Sequence, residues 1–156
     1  MDKYQLAIEE IPGEVELYKK LRVAKNTDDA WEVSIKARDE SRLQKLALRK
    51  FLLFTQDILP CVNIYRNFPI AKIDALRKIL SFAVSFETSL EVLREVNFIP
   101  ELRMLILGKA LGFADSLSEF RKLLKLFPKN SDGALICEKA ISKTLKKPEE
   151  KLACAS

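Results

Sequence analysis

The stretches "ALRKF" at 47–51 and "ALRKI" at 75–79 are almost the same pentapeptide, and their lysines, Lys50 and Lys78, stand 28 residues apart. The rest of the chain keeps a similar step. "LILGKALGFA" places Lys109 31 residues beyond Lys78, and "LICEKAISKT" places Lys139 another 30 on. In the other direction "LYKKLRVAK" offers Lys19 or Lys20, 31 or 30 residues before Lys50. Self-similarity at such a step marks tandem supersecondary units, each too small to bury its own apolar face.

Further columns share this register. Two residues past each anchor come Leu52, Leu80, Leu111 and Ile141, with Leu21 if Lys19 is the anchor. Four past come Phe54, Phe82 and Phe113, which read as one buried column. Five past come Thr55, Ala83, Ala114 and Thr144, with Ala24 again if Lys19 leads. Pro69 and Pro128 stand 19 residues after Lys50 and Lys109, each preceded by phenylalanine.

Each unit splits into two helices. In helix A, apolar residues fall at −4, −3, −2, +1, +2 and +4 around the anchor. That face is broader than an isolated surface helix needs, and suits a helix touched on several sides. A cap follows. "SLSE" at 116–119 is a capping box, and "TDDA" at 27–30 and "SFET" at 85–88 stand at the matching place. Helix B comes next, as "AWEVSIKA", "SLEVLREV" and "EFRKLLKLF". "TQDILPCVNIYRNFP" lacks a Ser or Thr box and has Pro60 where helix B begins, so a short helix is expected there. Pro148, followed by Glu149 and Glu150, reads as the first turn of a truncated last helix B.

The expected fold is all-α: a right-handed stack of helical hairpins, an α-solenoid or α–α superhelix, of about four to five repeats. It forms a single domain over 1–156, with units near 14–45, 46–73, 74–104, 105–134 and 135–156, and 1–13 as an orphan helix B. Neither end carries an obviously polar capping repeat. The chain therefore reads either as an array whose terminal helices serve as caps, or as a window of a longer array.

Tandem hairpins of this size resemble the α-solenoid superfamilies: tetratricopeptide, pentatricopeptide and HEAT-like repeats. The step is shorter than the ~34 residues of a tetratricopeptide unit. That family's Trp, Leu-Gly and Tyr pattern is absent, and the sole tryptophan, Trp31, falls in a helix B. The unit "LGFADSLSEFRKLLKLFPK" at 111–129 also resembles a mitochondrial-terminator-type repeat, whose family binds nucleic acid.

Composition narrows the function. The chain is 48% hydrophobic and 31% charged, which fits a folded rather than a disordered protein. Its net charge of +5 is compatible with nucleic acid or an acidic partner and requires neither. Three cysteines, Cys61, Cys137 and Cys154, without close pairs point away from a disulfide framework. With no apolar run of spanning length and with acids near the N-terminus, the sequence reads as cytoplasmic. There is no histidine, no CxxC, no P-loop and no G-x-S-x-G. Asp28–Asp29 and Glu149–Glu150 read as first-turn acids. No catalytic residue, cofactor, metal, small-molecule substrate or membrane contact is assigned.

The candidate binding residues are the lysine column Lys20, Lys50, Lys78, Lys109 and Lys139, flanked by Arg49 and Arg77. Stacked helices lie about 8–10 Å apart, so these lysines would form a ladder. One reading has each stem covering apolar neighbours while its ammonium reaches water. The other makes a positive strip for an acidic peptide or a phosphate backbone. Gly108 and Gly112, one turn apart, would leave a bare patch that a partner's backbone could approach. Lys143, Lys146 and Lys147 add a basic C-terminal region. The preferred reading is a non-enzymatic scaffold or adaptor binding a protein or peptide. The alternative is an RNA-binding repeat protein, whose affinity would fall with salt at a log–log slope of about −0.7 per contacted phosphate.

Overall fold

The computed structural model describes the backbone of residues 12–155 and the side chains of residues 13–146. Among these there is no strand. The helices are α1 (Pro12–Val23), α2 (Thr27–Lys36), α3 (Arg42–Phe54), α4 (Ile58–Asn67), a 3-10 turn (Pro69–Ala71), α5 (Lys72–Phe82), α6 (Phe86–Val96), α7 (Pro100–Phe113), α8 (Leu117–Leu124) and α9 (Asp132–Ala155). No described helix is long and apolar enough to cross a membrane. The chain divides into two compact units between Ile79 and Leu80, inside α5. The orphan helix expected over 1–13 lies outside the described residues apart from its last two positions, which open α1.

The helix starts follow from local polar chemistry. Asn26, Ser85 and Ser116 each accept a hydrogen bond from the backbone N–H three residues on, at Asp29, Thr88 and Glu119. Those three side chains reach back in turn. Asp29 accepts from Lys25 N at 3.4 Å, Thr88 from Val84 N at 3.0 Å and Glu119 from Asp115 N at 3.0 Å. Each start thus satisfies donors that a helix leaves open. The fourth start differs, as its sequence predicts: Asp57 makes no side-chain cap, and Pro60 stands where the reciprocal side chain would be. Yet α4 has 10 residues, as many as α2, so the expected shortening does not occur. Proline fits the first turn of a helix because those N–H groups have no partner inside it.

These caps also set the register. Asn26, Asp57, Ser85 and Ser116 each follow an anchor lysine by seven residues only if the first anchor is Lys19, not Lys20.

Two turns from a B helix into an A helix share one conformation. Ser41 N bonds Arg38 O and Ser131 N bonds Pro128 O, both at 3.1 Å. The residue before each serine is left-handed, Glu40 at φ 59° and Asn130 at φ 65°. Each serine then caps the next helix, through Gln44 N and Ala134 N. Asparagine tolerates this backbone, whereas glutamate is strained in it.

In the first unit α2 packs along α3, and α1 touches both. Trp31 of α2 is held between Phe51 and Phe68, with ring centroids 5.5 and 5.9 Å away. Buried Gln44 donates to Ser34 O and accepts from Glu40 N, tying α3 to α2 and to the turn between them. In the second unit α6 packs along α7 and α8 along α9, while α7 touches both α8 and α9. The closest pairs therefore join a B helix to the A helix after it.

The buried face of helix A is narrower than its sequence implies. Ala47, Leu48 and Phe51 of α3 and Ile106, Leu107 and Ala110 of α7 are buried at −3, −2 and +1. At −4, Leu105 and Leu135 are exposed. The phenylalanine column is not core. Phe54 and Phe82 are half-buried and Phe113 is exposed, because each is the last residue of its helix. The chain turns inward one residue later, where Ala24, Thr55 and Ala83 are buried. The break expected at Pro148 is also absent: α9 runs through it as one helix. A proline there removes one donor, to the carbonyl of Thr144, and in this helix the strand of bonds continues past it.

Gly133 is the glycine whose lack of a side chain is required, since a Cβ there would overlap the ring of buried Phe127. Gly133→Ala should lower stability by about 1–3 kcal/mol through overpacking. Glu40→Gly should raise it by about 0.5–1 kcal/mol by relieving the left-handed backbone. Urea unfolding followed by circular dichroism reads both, and opposite signs are expected.

Candidate functional site

Two members of the lysine column, Lys50 and Lys109, do something other than either sequence reading. Lys50 Nζ donates to Leu21 O at 2.6 Å and to Arg22 O at 3.2 Å. Lys109 Nζ donates to Leu80 O at 2.9 Å. In each case an ammonium on one A helix caps the carbonyl end of the A helix before it, 28 or 29 residues back. The last carbonyls of a helix lack internal partners and carry partial negative charge, so a cation is favoured there. Both lysines are half-buried, and the Lys50 ammonium also lies 6.0 Å from the Phe54 ring centroid.

The other candidates are placed variously. Lys20 is exposed; with the bond and charge of Lys36 leading, its charge helps hold the Glu32 carboxyl below the usual range. Arg49 is paired with Asp74 of α5 at 3.1 Å. Lys78 is half-buried in the first unit, and Arg77 beside it is exposed. Gly108 and Gly112 are exposed on α7 with open space beyond them, so the bare patch exists. Next to it, Leu105 and Phe113 are exposed too. Cys61 and Cys137 are free and buried, and burial pushes each thiol up to about 11, with the Lys78 charge opposing at Cys61 and the Glu138 charge adding at Cys137. Such thiols stay protonated and unreactive near neutral pH.

Lys139 belongs to a different setting. It borders a groove of about 540 Å³ between α7, α8 and α9 of the second unit. Leu111, Phe120, Ile136 and Ala140 form its apolar lining, and Lys139, Lys143 and Thr144 border it. Lys139 and Leu111 are the register counterparts of Lys109 and Leu80, which are bonded to each other. Here Lys139 is exposed and makes no hydrogen bond or ion pair with the described residues.

Aligning the B-helix caps shows what is different here. The fourth residue after each B-helix cap is Ala30 in α2, Cys61 in α4 and Ser89 in α6, all small and fully buried. In α8 the same position is Phe120, which is only half-buried and faces the groove. A phenyl ring is far larger than an alanine or serine side chain, and here it stays partly uncovered at the groove. This column is readable from the sequence once the caps are aligned.

Two smaller hollows, of about 400 and 390 Å³, flank the turn at 38–41 in the first unit. The first mixes Glu14, Arg38, Asp39, Glu40 and Arg42, so neither sign of charge dominates. No three Cys, Asp or Glu side chains among the described residues gather as a cation site. Comparison of the chain with protein-family models, curated proteins and solved structures gives no match.

Lys50→Ala should lower stability by about 1–2 kcal/mol, since it leaves two carbonyls without their cation. Lys139→Ala should change it by less than about 0.5 kcal/mol, as an exposed substitution. Parallel urea titrations of the two variants test the difference.

Proposed function

We propose that the chain is a helical-hairpin repeat protein of the α-solenoid class that acts as a non-enzymatic, protein-binding adaptor. The observation that carries this reading is the groove over Leu111, Phe120, Ile136 and Ala140. An apolar trough bordered by polar side chains is what a partner's apolar residues need. Phosphate chemistry would leave that lining uncovered. Two members of the lysine column, Lys50 and Lys109, are moreover committed to backbone carbonyls, which removes them from a phosphate-binding strip. Recurrent caps, recurrent turns and the lysine joints support the repeat reading. The buried free thiols of Cys61 and Cys137 accord with a reducing, cytoplasmic setting.

Ile136 is exposed by 38%, so a charge there is tolerated by the fold yet stands in the apolar lining. Proteins captured from cell lysate by the tagged full chain should survive nuclease treatment and be lost with Ile136→Glu. Capture of RNA that brings down all protein partners, with no effect of Ile136→Glu, would instead favour nucleic-acid binding.

A further inference from the structure

We infer that the groove between α7, α8 and α9 receives an acidic amphipathic helix from a partner protein. The inference deepens the adaptor reading and rests on it.

Shape comes first. The groove is bounded by three helices, and no strand edge is available among the described residues for an extended peptide to join. An apolar stripe on a helix is the natural filling for such a trough. Phe120 faces the groove at the position where the earlier units have the small, buried Ala30, Cys61 and Ser89. It presents part of an aromatic ring, beside Leu111 and Ile136, to whatever enters. Aromatic anchors in such positions contribute strongly to binding.

Charge gives the partner's chemistry. Lys139 and Lys143 lie one turn apart on α9 at the groove, and exposed Lys146 continues the row. None of the described residues lining the groove is acidic. Lys139 is not committed to a carbonyl as Lys109 is. A partner helix whose apolar stripe is flanked by Glu or Asp would place carboxylates against these ammonium groups. A second copy docking through the same groove would bring the two lysine rows face to face, which like-charge repulsion disfavours. A nucleic acid would satisfy the lysines and leave Leu111, Ile136 and Ala140 uncovered.

The test uses the full chain and a fluorescent synthetic peptide with a leucine stripe flanked by glutamates. Its counterpart carries lysines in place of the glutamates. Fluorescence polarisation should show saturable binding of the glutamate peptide to the native chain. Lys139→Glu with Lys143→Glu should weaken it on the order of tenfold, the scale of two exposed ion pairs turned to repulsion, and should improve the lysine peptide. Both side chains are exposed, so the double variant should fold; an unchanged far-ultraviolet dichroism spectrum checks this. Equal binding of both peptides by the native chain, or unchanged affinity in the double variant, overturns the inference while leaving an adaptor of other chemistry. So does absence of peptide binding when Ile136→Glu still removes cellular partners. A dimer seen by light scattering that Ile136→Glu dissociates, or labelled single-stranded RNA whose binding is lost in the lysine double variant, also overturns it. If neither peptide binds and Ile136→Glu removes no partner, the adaptor reading falls as well.

Discussion

An ammonium group set against the carbonyl end of another helix is the contact that recurs in both units. Every α-helix ends with carbonyls that its own N–H groups cannot reach, and their partial negative charge favours a nearby cation. Lys50 supplies it to the end of α1 and Lys109 to the end of α5. Neither pair is adjacent in sequence. For such a lysine to arrive at the right carbonyl, the intervening B helix and two turns must have a nearly fixed length. That requirement gives a physical meaning to the step of about 30 residues, beyond resemblance between pentapeptides.

The B helices carry small residues at one aligned position. Ala30, Cys61 and Ser89 are fully buried there. Phe120 is only half-buried and faces a groove, and the aligned lysine, Lys139, makes no hydrogen bond or ion pair with the described residues. Phe120 and Lys139 thus depart from the aligned columns, and an apolar groove lies beside two lysines.

Much of the local architecture was legible in the sequence, for a reason that lies in the residues themselves. Caps act within four residues, so Ser85, Thr88, Ser116 and Glu119 announce helix starts wherever they occur. The anomaly at Asp57 and Pro60 was equally visible, because it too is local. Helix ends were harder. Phe54, Phe82 and Phe113 fit an apolar column by spacing, yet each closes its helix, and the inward direction passes to the next residue. Pro148 has the look of a helix start because proline is favoured there, but a continuing helix can accept it at the loss of one bond.

By itself, the sequence determined that this protein is helical, where most of its helices begin and which positions recur, since those properties depend on neighbours along the chain. Only the tertiary structure decided that Lys50 and Lys109 serve as caps for other helices rather than as a charged strip. It also decided that Lys139 stands free of such a bond, that Gly133 yields its Cβ space to Phe127 and that Phe120 faces a groove. The reason is distance. A lysine's role depends on whether a carbonyl some 29 residues away comes within 3 Å of its ammonium, and a ring's role on how far its neighbours cover it. Neither is written in the spacing of residues along one helix.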